Sequence, residues 1–184
     1  MSKTDPTRRA AVVALALPAM TDLQAEAAPP SELLAVLPQA RLQGSGVLRF
    51  FGLRVYEVRL WVRDGFAADD YARHPFALEL TYDRKLEGVA IAERSVAEMR
   101  RVGKFDDTKA KRWLALMKQA FLDVAATDRL LGLNDGEGDV RFFFNGRLTA
   151  NLADAEYARL FFGIWLSPQT SAPALRESLL GTAR

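Results

Sequence analysis

From Gln39 onward apolar and polar residues alternate, and "GSGVLRFFGLRVYEVRLWV", Gly44 to Val62, carries the pattern most clearly. Val58, Leu60 and Val62 fall on one side of an extended chain and Glu57, Arg59 and Trp61 on the other. That period of two predicts a half-buried antiparallel strand. Phe51-Gly52 separates two such runs, so a tight bend or bulge is expected at the glycine, which tolerates positive φ at no steric cost. A third alternating run covers Phe76 to Tyr82. From Glu87 to Val102 charged residues interleave with Val89, Ile91, Val96 and Met99, which predicts a helix ended by Gly103. Asp107 or Thr108 is placed to cap a second helix, where Trp113, Leu114, Met117, Phe121 and Val124 recur at helical spacing. Strands are expected over Asp128 to Leu133 and Val140 to Phe144. Arg147 to Leu152 pairs back on the latter through Asn145-Gly146, a dipeptide suited to a type I′ turn. Asp154 is a reasonable N-cap for "AEYARLFFGIWL", which stops before Ser167-Pro168, and a last helix from Ala172 to Leu180 closes at Gly181. Strands, two helices, more strands and final helices predict an α+β domain, an antiparallel sheet covered on one face by helices.

Composition narrows this picture. With 184 residues the chain makes one ordinary domain, able to bury roughly two thirds of its unfolded surface without staples. Hydrophobic residues at 49% and charged ones at 26% are a globular balance. A formal charge of +2 with the signs mixed provides no polybasic stripe, so nucleic acid is not expected as a partner. The absence of cysteine excludes thiol nucleophiles, Cys-based zinc sites and disulfides together. Arg8 and Arg9, the apolar run Ala10 to Ala19, and Ala25 and Ala27 before Pro29-Pro30 have the layout of a signal peptide. The apolar run is too short to span a bilayer, which needs about twenty residues. The expectation is therefore a leader over 1–27, a folded domain over 28–184, and a periplasmic protein; a short helix packed on the domain is the alternative reading of the same run.

Gly44 and Gly46 raise the question of a phosphate loop. A dinucleotide fingerprint needs a third glycine, where Arg49 stands, and a helix after it, where a strand follows. The pair is read instead as a place where the sheet bends. At this point "LQGSGVLRFFGLRVYEVRLWV", "IAERSVAEMRRVG" and the closing "FNGRLTANLADAEYARLFFGIWLSP" with "LLG" resemble the bacterial branch of the chalcone isomerase-like family. The resemblance covers Gln39 to Gly181 and implies an open-faced β-sandwich with an apolar cleft between sheet and helices.

Plant enzymes of that family cyclise a chalcone by adding a phenolate to an enone, and the developing enolate needs a cation and hydrogen-bond donors. Their arginine after G-x-G-V, their threonine on the next strand, and their tyrosine and asparagine on the helix fall, counted without gaps, on Leu48, Tyr56, Glu87 and Arg94. None of the four is retained. Arg49 alternates to the other strand face, and a one-residue slip at the bend would bring it into the cleft. Leu48, Arg49, Tyr56, Glu87 and Arg94 are therefore the candidate ligand-binding residues. Arg94 suits a carboxylate, although a helix arginine commonly pairs with an acid such as Glu98. His74, the single histidine, is chemically sufficient as an axial haem ligand, yet before Pro75 it reads first as a turn residue, and no cofactor is expected. The aromatic mass, including Trp165, Phe161 and Phe162, is core with part of it available to line a cavity.

The resulting expectation is a non-catalytic carrier or sensor of an apolar, fatty-acid-like small molecule. Its alternatives are an isomerase with a relocated cation, a scaffold whose cleft is vestigial, and a haem-binding protein.

Overall fold

The structure, a computed structural model, describes residues 28–182; the leader expected over 1–27 lies outside them. Six strands form one antiparallel sheet in chain order: β1 (Arg41–Phe50), β2 (Leu53–Val62), β3 (Phe76–Tyr82), β4 (Arg129–Asn134), β5 (Asp139–Phe144) and β6 (Arg147–Ala153). α1 (Ser31–Val36) precedes the sheet. α2 (Gly88–Val102) and α3 (Asp107–Ala120) are inserted between β3 and β4, and α4 (Ala155–Leu166) and α5 (Pro173–Leu180) close the chain.

The alternation read from the sequence decides which face the helices cover. Tyr56, Val58, Leu60 and Val62 of β2 stand opposite Tyr82, Leu80, Leu78 and Phe76 of β3. Leu78 and Leu80 in turn stand opposite Gly132 and Leu130 of β4. This apolar face meets Met99 of α2, Trp113 and Met117 of α3, Tyr157, Phe161 and Phe162 of α4 and Leu179 of α5 in one continuous core. Asn145-Gly146 turns β5 into β6 with positive φ at both residues, 48° and 82°, as a type I′ turn requires.

The reverse face is open except where α1 lies on it. There Leu33 and Leu37 cover Trp61, Leu131, Leu133 and Phe143 in a second, smaller core. Trp61, expected on the half-exposed side of its strand, is consequently 1% exposed. A polar chain, buried at Glu79 and half-buried at Arg129, runs beside it: the Trp61 indole donates to Glu79 at 2.8 Å, and the Arg129 guanidinium bridges Glu79 and Glu32. Strand alternation sorts residues to two faces, but a helix that ends at Val36, well before Trp61 in the chain, decides where the second of those faces is dry.

Several boundaries differ from expectation for local reasons. α3 is capped by Asp106, which accepts from the Lys109 amide at 2.8 Å, one residue earlier than the sequence placed the cap. Phe121 and Val124 continue the apolar spacing but not the helix. Phe121 is the C-cap, and Val124 pairs in a bridge with Leu86. Gly103 does end α2, in extended backbone (φ −171°) rather than a left-handed turn; a Cβ there would sit 2.8 Å from the Leu160 side chain. Gly44 and Gly46 have a related role. The strand shifts register between Leu42 and Gly44, and α5 packs so closely that a Cβ on Gly44 would meet the Ser178 carbonyl oxygen at 2.3 Å.

Candidate functional site

Where β2 and β3 meet α2 and α4, one polar spot interrupts the apolar core. β2 brings Tyr56 onto the helix-covered face because it shares the parity of Val58 and Leu60, and β3 sets Tyr82 directly across from it. The two rings are edge-to-face at 5.8 Å. The Trp165 indole, from the last turn of α4, donates to the Tyr56 hydroxyl at 3.0 Å. Among the described residues neither phenol donates its own proton to a protein acceptor. Burial pushes both hydroxyls well above the ordinary phenol range; at Tyr56 the Trp165 bond opposes this, while nearby Glu98 raises it further and Arg94 draws it down.

Glu98 is the charge in this wall. It lies on the buried stripe of α2 with Ala92, Ser95 and Met99, its side chain only 9% exposed, and it is paired with both Arg94 and Arg101. Two guanidinium groups on one carboxylate leave the rim of the spot net positive. Arg94 itself is 68% exposed.

The other candidates are dispersed. Leu48 stands opposite Tyr56 and packs against the main core. A register shift does fall between Leu48 and Arg49, but Arg49 is exposed and donates to the Gly52 carbonyl of its own turn at 3.3 Å. Glu87 is the exposed N-cap position of α2 and makes no side-chain capping bond. His74 follows the 3-10 helix Ala68–Arg73; its ring lies edge-on to Phe66 at 5.9 Å and its carbonyl accepts from Asn134 at 2.8 Å. The site thus draws together Tyr56 and Arg94 with Tyr82, Glu98 and Trp165. Glu98 was legible as an anomaly, an acid on the apolar side of its helix. Nothing local marked Tyr82 or singled Trp165 out from the other aromatics, because their meeting spans strands and helices far apart in the chain.

Between sheet and helices the remaining space is a crevice of about 10 Å3 whose lining includes Leu78, Leu80, Leu130, Phe142, Phe161 and Trp165. That is about the room one water needs. Gly132 forms its floor, where a Cβ would crowd Phe162 and Phe142 at 3.2 and 3.3 Å. The aromatic side chains fill the place where the family resemblance implied an apolar cleft, and Trp165 both lines this crevice and covers the Tyr56 hydroxyl. A wider hollow of about 410 Å3 opens at the other end of the sheet between Asp135 and Asp154, but its acids are already committed. Asp135 accepts from the amides of Glu137, Gly138 and Asp139, and Asp154 caps α4 while accepting from the Trp113 indole.

Comparison with known proteins agrees with this architecture. The sequence pattern of a family described as chalcone isomerase-like matches residues 30–181. An uncharacterized protein of Haemophilus influenzae is 27% identical over 132 residues, 71% of this chain, and the match spans 62% of that relative's length. Among solved structures, the Arabidopsis thaliana fatty-acid binding protein AtFAP1 superposes with a TM-score of 0.61 at 13% identity, over 78% of this chain and 87% of the other.

Proposed function

The chain belongs to the chalcone isomerase-like family, and on that premise we propose that it is a non-catalytic binding protein for an apolar, fatty-acid-like small molecule held between sheet and helices. The observation that carries the proposal is the Trp165–Tyr56 hydrogen bond at the end of an aromatic crevice. It is a polar group with a proton to give, set in a mostly apolar wall beside Glu98 and covered by the Trp165 side chain. Sites for such ligands are mostly apolar with a few placed polar groups. The fatty-acid binding protein that shares the fold supports the same class of ligand.

A long-chain ligand needs several hundred cubic ångströms, far more than the crevice holds. Binding therefore requires the crevice to widen, with the Trp165 indole swinging outward to give part of the room to the tail and releasing Tyr56 to donate to the head group. Arg94 supplies the charge when that head is a carboxylate. Support for binding over isomerisation comes from the cations. Counted without gaps, Leu48 falls at the position of the family's enolate-stabilising arginine, Arg49 is engaged in its own turn and Arg94 is shared with Glu98, so none of these candidate positions offers an unshared guanidinium to the crevice.

Calorimetric titration with palmitate and with hexadecanol, followed also by tryptophan emission, tests the reading. The wild-type protein is expected to bind both with a change in emission. Tyr56→Phe should weaken both about fivefold, the worth of one ordinary hydrogen bond. Arg94→Ala should weaken palmitate alone, by about fivefold or less because the Arg94 guanidinium is largely exposed. Trp165→Ala should tighten both. If neither ligand binds wild type or Trp165→Ala, the crevice is filled core and the scaffold reading takes its place.

A further inference from the structure

We propose that the β1–β2 turn is a membrane-docking tip, inserting Phe50, Phe51 and Leu53 into the interfacial layer of an anionic bilayer. These three side chains are 59%, 90% and 57% exposed, and the rings of Phe50 and Phe51 touch chiefly one another, edge-to-face at 4.5 Å. Phe51 is held outward at a cost. Its φ is +47°, a left-handed conformation that a bulky residue adopts only under constraint. Asparagine or glycine would make this turn without strain, as Asn145-Gly146 does at the other hairpin, so the turn's geometry does not account for a phenylalanine.

The surroundings fix the kind of partner. Antiparallel order brings the β1–β2 turn, the β3–α2 loop, the α3–β4 connection and the β5–β6 turn to one end of the sheet. Of the seven exposed large apolar side chains among the described residues, six belong to this end: Phe50, Phe51, Leu53, Val89, Leu122 and Leu148. Beside the tip stand Arg49, Arg54, Arg84 and Lys85 against Asp83 and Glu87. Arg54 is tied to Asp83, while Arg49, Arg84 and Lys85 have no ion-pair partner among the described residues. A projecting aromatic point ringed by net positive charge matches an anionic lipid surface, into which rings sink while basic groups stay at the head groups. A flat apolar patch with a polar rim, as a protein partner presents, is not what the turn offers. No helix among the described residues is long and apolar enough to cross a membrane, so the contact proposed is peripheral. It stands on the tip alone and does not depend on the crevice binding a ligand.

Co-sedimentation of the full chain with vesicles of phosphatidylcholine containing phosphatidylglycerol, and with phosphatidylcholine alone, tests it. Binding is expected to the anionic vesicles, to weaken as salt is raised, and to fall at least about tenfold in Phe50→Ser/Phe51→Ser, a variant that should keep the wild-type circular dichroism and melting temperature because it removes only exposed rings. Phe51→Trp should report insertion directly through a blue-shifted emission on anionic vesicles and quenching by brominated acyl chains. Equal sedimentation of wild type and the serine variant, or an unchanged emission in Phe51→Trp, would overturn the proposal. So would lipid-independent self-association that the serine variant abolishes, which would make the tip a contact between copies of this chain.

Discussion

Tyr157 is fully buried, its ring stacked on Phe161 at 5.4 Å, and its hydroxyl has no partner among the described residues. Burial, with Asp154 nearby, holds that hydroxyl far above the ordinary phenol range, so it stays neutral. An unsatisfied buried hydroxyl costs stability, whereas the ring it sits on contributes packing. Tyr157→Phe should therefore leave the protein as stable as wild type or stabilise it by about 1 kcal/mol, as read from urea denaturation; a loss of stability would mean that the hydroxyl is bonded. The contrast with Tyr56 is instructive. Both phenols belong to the core between sheet and helices, Tyr157 buried on α4 and Tyr56 half-buried on β2, but Tyr56 accepts from Trp165 and keeps a proton to donate, which is the difference between a packing residue and a candidate ligand contact.

At the scale of elements, the glycines of β1 show how a strand and a helix fix each other. α5 lies against β1 where two successive same-face positions lack side chains, Gly44 and Gly46. A Cβ on Gly44 would meet backbone, the Ser178 and Leu179 carbonyl oxygens at 2.3 and 2.5 Å; on Gly46 it would meet the Leu175 Cδ1 methyl at 2.5 Å. Backbone cannot turn aside and a leucine methyl can. Gly44→Ala is expected to cost about 2 kcal/mol or more, and Gly46→Ala about 1 kcal/mol or less, measured as shifts in the denaturation midpoint. Equal costs would show that α5 rides freely on the sheet. Asp154 ties two other elements. It caps α4 through the Tyr157 amide at 3.0 Å and accepts from the Trp113 indole of α3 at 3.0 Å. Asp154→Ala should cost about 2 to 3 kcal/mol, a cap plus an indole left unpaired. A loss near 1 kcal/mol would assign it to the cap alone.

The molecule as a whole carries its four tyrosines inside one cooperative unit, and all four are shifted upward by burial, Tyr71 to about 12, Tyr56 and Tyr82 further, and Tyr157 well above its ordinary value. Because the folded values lie above the unfolded one, about 10, their contribution to stability is complete below that pH. It is lost as pH rises above it towards the folded values. Alkaline titration followed by phenolate absorbance should therefore show no ionisation near the ordinary phenol value while the fold persists, and then one step coincident with unfolding. A single phenol titrating near pH 10 in the folded protein, lost in Tyr56→Phe, would show that Trp165 already stands open. Repeating the titration with palmitate bound distinguishes a closed crevice from an occupied one.

Strand parity, the two hairpin turns, the Asp154 cap and the end of the last helix at Gly181 were all set by the sequence, because each depends on residues within one or two turns of chain. Those local periods were enough to imply an antiparallel sheet under helices, and the glycine, arginine and aromatic stretches were enough to place it in its family. What they could not supply was which groups meet. Trp165 reaches Tyr56 across 109 positions of chain, and Arg129 reaches Glu32 across 97. α5 sets the need for glycine in β1 from the far end of the molecule. Counting along the chain placed Arg94 on its helix, and the four-residue spacing offered Glu98 as its partner, but neither showed that the Glu98 side chain is dry, since the angle at which α2 lies on the sheet determines which side chains of that helix are buried. Whether the space between sheet and helices is a cleft or a core is likewise a property of packing: aromatic residues suited to lining a cavity are equally suited to filling it, and only their joint arrangement around Gly132 closes it to about 10 Å3.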